Sequence, residues 1–206
     1  WGLSQADVSW SYCSKIDADL TLPPDYFERI FFEFQRSEQL GIASGGCYDR
    51  IGDDLRLERV APDHTRGALK TYRRACYEQM GGVRGVHGWD GIDNIMAQML
   101  GWSTRNFPDI VVEHHRPTGS FEGRLKGRFT AGSFAHFMGY HPLFMAARSV
   151  SRMRDKPLVM GGVVMMAGYL WGRMRGAPIF DEREVVTFLR ENQLRKLGLG
   201  WAVRQR

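Results

Sequence analysis

Residues Ser14–Pro23 read SKIDADLTLP and carry two aspartates, Asp17 and Asp19, one residue apart in an otherwise apolar stretch. The alternating pattern before the prolines predicts a short strand that runs into a loop. Because side chains i and i+2 of a strand point the same way, both carboxylates are expected on one side. Two such charges are costly together unless a cation or water compensates them. The pair is therefore either a ligand for a divalent cation or a pair of surface residues before a turn.

Alternating strand and helix patterns surround this pair and extend to about residue 116. Helices are predicted over residues 25–41, 65–82 and 88–102. The second of these rests on a stripe formed by Leu69, Tyr72, Cys76 and Met80. Strand patterns occur at residues 55–62 and 109–115, and residues 41–50 fit a strand or a turn. This alternation predicts an α/β layer.

A second region, residues 117–206, has a different composition. It is rich in glycine, arginine and phenylalanine, and residues 157–171 form a run without a charge. That run is shorter than the roughly 20 residues that a membrane-spanning helix needs. With arginines on both sides of it, the run fits either a buried core helix or a segment at a membrane interface. Residues 181–198 predict a charged amphipathic helix.

Charge is distributed unevenly between the two halves of the chain. Residues 1–113 carry 12 Lys and Arg against 17 Asp and Glu, a net −5, and residues 114–206 carry 16 against 6, a net +10. A basic half is suited to phosphate, in nucleotides, lipid headgroups or nucleic acid, and is equally compatible with a solvated surface. The aromatic and basic residues match no DNA- or RNA-binding motif, so no nucleic-acid partner is expected.

The three cysteines are scattered and odd in number, which fits neither a disulfide framework nor a zinc site and favours a reducing, cytoplasmic compartment. The chain opens on Trp1 rather than on methionine, and nothing near it resembles a signal peptide.

Five segments, taken in order, resemble family 2 glycosyltransferases of the GT-A fold, and most closely bacterial members that build envelope polysaccharides. They read IDADLTLPPDYFERI (Ile16–Ile30), LGIASGG (Leu40–Gly46), YRRACYEQMGGVRGVHGWDGID (Tyr72–Asp93), GWSTRNFPDIVVEHHRPTG (Gly101–Gly119) and GYHPLF (Gly139–Phe144). The resemblance covers about residues 9 to 200. It implies an α/β, GT-A-like mixed sheet flanked by helices, with a partial catalytic domain over residues 1–116 and a mainly helical extension over residues 117–206.

The resemblance assigns roles to particular residues. Asp17 and Asp19 match the D-x-D motif, which binds the nucleotide-sugar diphosphate and a divalent metal, Mn²⁺ or Mg²⁺. His114 matches a histidine that completes the metal site in some members, and His115 beside it is an alternative. Asp90 matches the general base, which takes a proton from the acceptor hydroxyl during an inverting transfer.

Acceptor contacts are expected from three residues near that base: His87, Trp89 and Asp93. Each of these positions also has a structural explanation. Asp90 and Asp93 fit the pattern of a helix N-cap, and the aromatic side chains fit core packing.

Two departures from the family pattern matter. Trp89 stands where many members have glutamate. Only sixteen residues precede Asp17, whereas the family has a nucleoside-binding portion there, so an N-terminally truncated and inactive enzyme is expected. The full enzyme is expected to act at the cytoplasmic face of a bacterial membrane, on a saccharide or lipid-linked acceptor. The alternative is a non-enzymatic basic module that binds anionic lipid or nucleic acid.

Overall fold

The computed structural model describes residues 9–51, 54–58, 60–86, 88–115, 123–154 and 158–199. The chain divides into two compact units, Trp1–Pro117 and Thr118–Arg206, called here the N-terminal and C-terminal units. The N-terminal unit contains a mixed sheet with helices, and four helices make up the described part of the C-terminal unit. The predicted mixed α/β class is therefore confirmed.

The sheet of the N-terminal unit has six strands. They are β1 (Tyr12–Ile16), β2 (Leu20–Thr21), β3 (Leu40–Ile51), β4 (Asp54–Leu57), β5 (Leu69–Arg73) and β6 (Ser103–His114). The order is β1-β5-β3-β6-β2, with β4 paired to β3 as a hairpin. Strands β3 and β6 are parallel, and the other pairs are antiparallel. The carboxyl ends of β1, β3 and β6 therefore meet at one edge of the sheet.

Helix α1 (Tyr26–Arg36) forms one side of the core. Its buried residues Tyr26, Ile30 and Phe34 recur at helical spacing and pack on apolar side chains of the sheet. The helix ends at Arg36 rather than at the predicted Gly41, which lies within β3. A Cβ at Gly41 would stand 2.6 Å from the Cys76 sulfur, so the glycine allows close packing.

The helix predicted over residues 65–82 is wrong in its first half. Leu69–Arg73 is strand β5, and only Arg74–Gln79 is helical, as α2. The strand lies between β1 and β3 and is buried along most of its length, so pairing on both sides overrides the local pattern. Leu69 and Tyr72 are three residues apart, a spacing that also fits a helix, but strand pairing determines the structure here.

Helix α3 (Trp89–Met99) lies where the sequence predicted it, and a buried ion pair fastens it to β5. Lys70 Nζ is 2.6 Å from Asp93 Oδ1, and the Tyr72 hydroxyl donates to Asp93 Oδ2 at 2.5 Å. The Lys70 and Asp93 side chains are 0% and 2% exposed. Since Lys70 and Tyr72 alternate with Leu69, which packs in the α1 core, α1 and α3 cover opposite faces of the sheet.

Burial perturbs both members of this pair. It lowers the pKa of Lys70 and raises the pKa of Asp93, and in each residue the partner's opposite charge works against the shift. Burial also raises the pKa of Tyr72, with the Asp93 carboxylate as the next cause. Removing one charge would leave the other buried without a partner, which is far more costly than losing an exposed pair.

We expect Lys70→Met to lower the free energy of unfolding by about 3–5 kcal/mol, because it leaves the Asp93 carboxylate uncompensated. The double variant Lys70→Met/Asp93→Asn should recover most of that loss, since the amide oxygen still accepts from Tyr72 and no charge is buried. Urea unfolding followed by circular dichroism measures both. A double variant as unstable as the single one would contradict a charge-based explanation.

The C-terminal unit contains α4 (Arg124–Phe137), α5 (Pro142–Arg152), α6 (Met160–Met174) and α7 (Arg183–Lys196). Helix α6 coincides with most of the uncharged run, and α7 with the predicted amphipathic tail. Among the described residues, no helix is both long enough and apolar enough to cross a membrane.

Glycines allow α6 to pack unusually close to its neighbours. A Cβ on Gly132 of α4 would lie 1.9 Å from the Met165 carbonyl oxygen, and one on Gly168 would lie 2.1 Å from the Phe129 carbonyl oxygen. A Cβ on Gly162 would lie 2.2 Å from the carbonyl oxygen of Ser149 in α5. The backbones of these helices are therefore in direct contact, and any side chain at these positions would force them apart.

We expect Gly132→Ala to destabilise the chain by about 1–3 kcal/mol, because the new methyl group meets main chain that cannot rotate away. Gly127 in the same helix is the matched control, since a Cβ there meets nothing within 4 Å. Gly127→Ala should stabilise the chain by about 0.5–1 kcal/mol through helix propensity. Equal effects of the two substitutions on the chemical unfolding midpoint would contradict the close contact between α4 and α6.

Candidate functional site

Polar residues from four segments of the N-terminal unit converge at the carboxyl-terminal edge of the sheet. The loop after β1 holds Asp17 and Asp19, the end of β3 holds Asp49, and the end of β6 holds His114. Asp90 lies in the first turn of α3. In sheets with parallel strands this edge is where ligands usually bind, because loops and helix N-termini leave a crevice there.

His114 lies between two of these carboxylates. Its Nδ1 is 3.2 Å from Asp49 Oδ1, and its Nε2 is 3.8 Å from Asp19 Oδ2. In the tautomer protonated at Nδ1, the ring donates to Asp49 and its Nε2 lone pair faces Asp19. A carboxylate that orients a metal-ligating histidine in this way is a common feature of metal sites.

The separation of Asp19 and His114 fits a shared cation. Two ligand atoms that each lie about 2.1 Å from one ion are at most about 4.2 Å apart, and these two are 3.8 Å apart. Oxygen and imidazole nitrogen together form a reasonable donor set for Mn²⁺ or Mg²⁺. The residues present therefore fit a divalent metal at this position.

A second combination of ligands overlaps the first. Ligand atoms of Asp49, Glu58 and His114 all lie within 4.8 Å of one another, close enough to hold a metal ion. Glu58, however, is already paired with Arg66, whose Nη2 is 2.5 Å from its carboxylate. The guanidinium both occupies that oxygen and repels a cation, so Asp19 is the better placed carboxylate. The sequence analysis missed Asp49 and Glu58, because neither belongs to a recognisable motif.

The two adjacent histidines have different surroundings. The His115 ring contacts Thr21 Oγ1 at 2.7 Å and lies near Glu113, on the exposed side of β6. The His114 side chain is 10% exposed and faces Asp19 and Asp49. Since successive residues of a strand point to opposite faces, only one of the two can face the carboxylates, and that residue is His114.

Asp17 and Asp19 do not share a strand, contrary to the expectation for this stretch. Strand β1 ends at Ile16, and both aspartates lie in the loop that follows. Asp17 forms an ion pair with Lys15, and its amide donates to the Ala68 carbonyl at 2.8 Å. Its main chain therefore lies beside the residue that precedes β5 and its carboxylate pairs with Lys15, whereas the Asp19 carboxylate lies near His114 at the end of β6.

Asp90 is held by its main chain, which leaves its carboxylate free of those bonds. Its carbonyl accepts from Lys70 Nζ at 2.5 Å and from Asn94 Nδ2 at 2.8 Å. Gly88, with φ 76°, is the N-cap of α3, so the predicted capping role does not fall to Asp90.

The Asp90 carboxylate lies beside Gly67, where a Cβ would lie 2.9 Å from Asp90 Oδ2. Because Lys15 Nζ donates to the Gly67 carbonyl at 2.9 Å, Asp90 and Asp17 both lie beside this short segment.

The three residues expected to contact an acceptor have different positions. The Trp89 ring is half-buried, with Lys15 Nζ and Lys70 Nζ at 5.1 and 5.5 Å from its centroid. Asp93 is buried, and its two oxygens bind Lys70 and Tyr72, so it holds α3 in place rather than facing an acceptor. His87 lies outside the described residues.

His64 is a titratable group near Asp90 that the sequence analysis did not select. Burial lowers its pKa to about 4, and the nearby Lys70 charge adds to the shift while Asp90 opposes it. The imidazole is therefore neutral at physiological pH. Its Nδ1 lies 3.4 Å from Asn94 Nδ2, which also donates to the Asp90 carbonyl.

Comparisons with known proteins find similarity among solved structures. The chain matches no protein-family model, and no curated protein matches it. Among solved structures, it is similar to a mannosyltransferase from Pyrobaculum calidifontis in complex with GDP-Man and Mn²⁺, with 16% identity and a TM-score of 0.46. The similarity covers 97% of this chain and 57% of that one. This chain thus spans less than two thirds of the length of that protein.

We expect His114→Ala and Asp19→Asn each to weaken Mn²⁺ binding by about a hundredfold or more, because loss of a residue that only orients a ligand already costs about tenfold to a hundredfold. His115→Ala is the matched control and should bind Mn²⁺ as the unmodified chain does. Isothermal titration calorimetry measures all four proteins. Loss of binding in the His115 variant with retention in the His114 variant would contradict the assignment.

Proposed function

We propose that the chain is an inverting, metal-dependent glycosyltransferase of family 2, or a large part of one. It would transfer a sugar from a nucleotide-sugar donor to an acceptor hydroxyl in cell-envelope or exopolysaccharide synthesis. One observation carries the proposal: Asp19 and His114 lie 3.8 Å apart at the edge of the sheet that also holds Asp17 and Asp90. These are the positions at which the sequence resembles the family's metal, donor and base residues.

In this proposal the donor diphosphate binds where the loop after β1 meets the end of β6. Asp19 and His114 hold the cation, and Asp49 fixes the orientation of the imidazole through Nδ1. A divalent cation bound there would supply Lewis-acid stabilisation of the charge on the departing nucleotide diphosphate. Asp17 is assigned to the same diphosphate site, where its partner Lys15 also brings a positive charge close to the phosphates.

Asp90 is proposed as the general base. Its carboxylate accepts the proton of the acceptor hydroxyl while that oxygen attacks the anomeric carbon, and the bond to the leaving phosphate breaks on the opposite side. Lys70 and Asn94 hold the Asp90 main chain, so the carboxylate keeps a fixed position at the start of α3. Positioning of this kind is what general-base catalysis requires before any adjustment of pKa.

Acceptor and location are proposed at a coarser level. A saccharide or lipid-linked acceptor would lie beside Asp90, with Trp89 as a wall of its site. The reaction would take place at the cytoplasmic face of a bacterial membrane. The part of the donor site that binds the nucleoside belongs to residues that the family places before the D-x-D motif.

We expect Asp90→Asn to reduce sugar transfer by about 10²–10⁴-fold, the usual contribution of a general base. Mn²⁺-dependent binding of the nucleotide should remain, because the amide keeps the shape of the residue and Asp19 and His114 are untouched. Transfer from labelled nucleotide sugars and binding by calorimetry, both on the full-length gene product, measure the two effects.

Asp109→Asn is the control for this experiment. Asp109 is an exposed carboxylate of β6 that pairs with Arg29 of α1 at 3.0 Å, and it should be replaceable without loss of transfer. Retained turnover in the Asp90 variant would remove Asp90 from the mechanism. Loss of nucleotide binding together with turnover would assign Asp90 a structural role instead.

A further inference from the structure

Helix α6 of the C-terminal unit exposes apolar side chains where a helix of a soluble protein usually exposes polar ones. Its exposed apolar residues are Met160, Val163, Ala167, Leu170, Trp171 and Met174. At 100° per residue these six positions fall within about 100° of the helix circumference. They are called the α6 face here. Met174 is 73% exposed, and the other large residues of the face are 43–51% exposed.

The buried side of α6 has the opposite composition. Four of its six buried residues are glycines, namely Gly161, Gly162, Gly168 and Gly172. The helix thus packs inward largely through backbone, with Met165 and Tyr169 as its large buried side chains, and presents five large apolar side chains outward. Small residues at helix contacts and large apolar ones outside are typical of proteins whose outer surface meets lipid.

The charge around the α6 face indicates what covers it. Residues 123–180 contain nine Lys and Arg and one acidic residue, Asp155. Arg175 lies over the Trp171 ring, with its guanidinium carbon 4.4 Å from the centroid, and the Arg128 side chain lies beside Gly161 at the other end of the helix. Apolar surface bordered by arginines is complementary to a bilayer that carries anionic headgroups.

A protein partner fits this surface less well. Helix α6 has 15 residues, so its face is about 22 Å long and about 10 Å wide, roughly a quarter of the 800 Å² that each partner buries in a standard interface. A second copy of the chain would also bring the same arginines together, and like charges in an interface oppose association.

We propose that the α6 face docks on the surface of an anionic phospholipid bilayer, lying in the interface without crossing it. The arginines meet the headgroups while Leu170, Trp171 and Met174 enter the acyl boundary. This inference rests on the proposed function only in naming a bacterial membrane as the bilayer. The α6 face would be the surface through which the protein binds that membrane. The contact itself follows from the C-terminal unit alone.

Vesicle sedimentation with the full chain tests the proposal. We expect binding to vesicles of phosphatidylcholine mixed with phosphatidylglycerol, and little binding to phosphatidylcholine alone. Leu170→Ser/Met174→Ser should lower the partition coefficient by about tenfold or more, since each buried CH₂ contributes to membrane binding. Arg175→Gln should lower it by about fivefold and weaken its dependence on salt.

Matched controls remove an exposed apolar or basic residue elsewhere. Phe32→Ser replaces a 56% exposed side chain of α1, and Arg195→Gln replaces an exposed arginine of α7. Both should bind vesicles like the unmodified chain. Circular dichroism confirms that each variant is folded, and Mn²⁺ binding by calorimetry separates loss of docking from loss of the proposed metal site in the N-terminal unit.

Two outcomes would overturn the proposal. One is vesicle binding that is unchanged in Leu170→Ser/Met174→Ser while that variant stays folded. The other is a dimer in sedimentation velocity that this variant abolishes, because the α6 face would then be an interface between two copies of the chain.

Discussion

The buried pair between Lys70 and Asp93 determines where helix α3 begins. The Lys70 ammonium is excluded from water, so it needs acceptors within the protein. It donates to the Asp93 carboxylate and to the Asp90 carbonyl at the same time. That requirement fixes the helix along β5 to within a hydrogen-bond length. Since Asp90 and Asp93 lie one turn apart, fixing Asp93 also fixes Asp90 at the carboxyl-terminal edge of the sheet. This buried ion pair thus also positions the proposed base.

The parallel pairing of β3 and β6 does the same for the metal ligands. Asp49 and His114 are direct partners in the register of the two strands, so strand pairing alone places the Asp49 carboxylate beside the imidazole. Leu20 of β2 pairs with His114 as well, and this pairing brings the neighbouring Asp19 to the other ring nitrogen. The loop that carries Asp19 crosses this edge from β1 to β2, at opposite ends of the strand order, and so brings three groups that are far apart in the chain together.

Much of this arrangement could be predicted from the sequence, and the failures have physical causes. Short local sequence patterns are enough to predict Asp19, His114 and Asp90 through the family resemblance, and the structure places all three at the carboxyl-terminal edge of the sheet. Asp49 was missed because its importance comes from strand register, which no local pattern encodes. Residues 69–73 were assigned to a helix because Leu69 and Tyr72 have a spacing that suits either element, and only pairing with β1 and β3 decides between them.

The apolar run in the C-terminal unit shows why composition alone left two alternatives open. A buried core helix and an interfacial helix can have the same residues; they differ in which of those residues face inward. The proposal of an interfacial helix rests on the glycines of α6, because the contacts with Gly132 of α4 and Ser149 of α5 leave no room for a side chain on the inner face. Glycines and the side chains of Met165 and Tyr169 occupy the inner face, and helical periodicity places Leu170, Trp171 and Met174 on the outer one. In this unit, the positions of the glycines in α6 account for both the close helix packing and the exposed apolar surface.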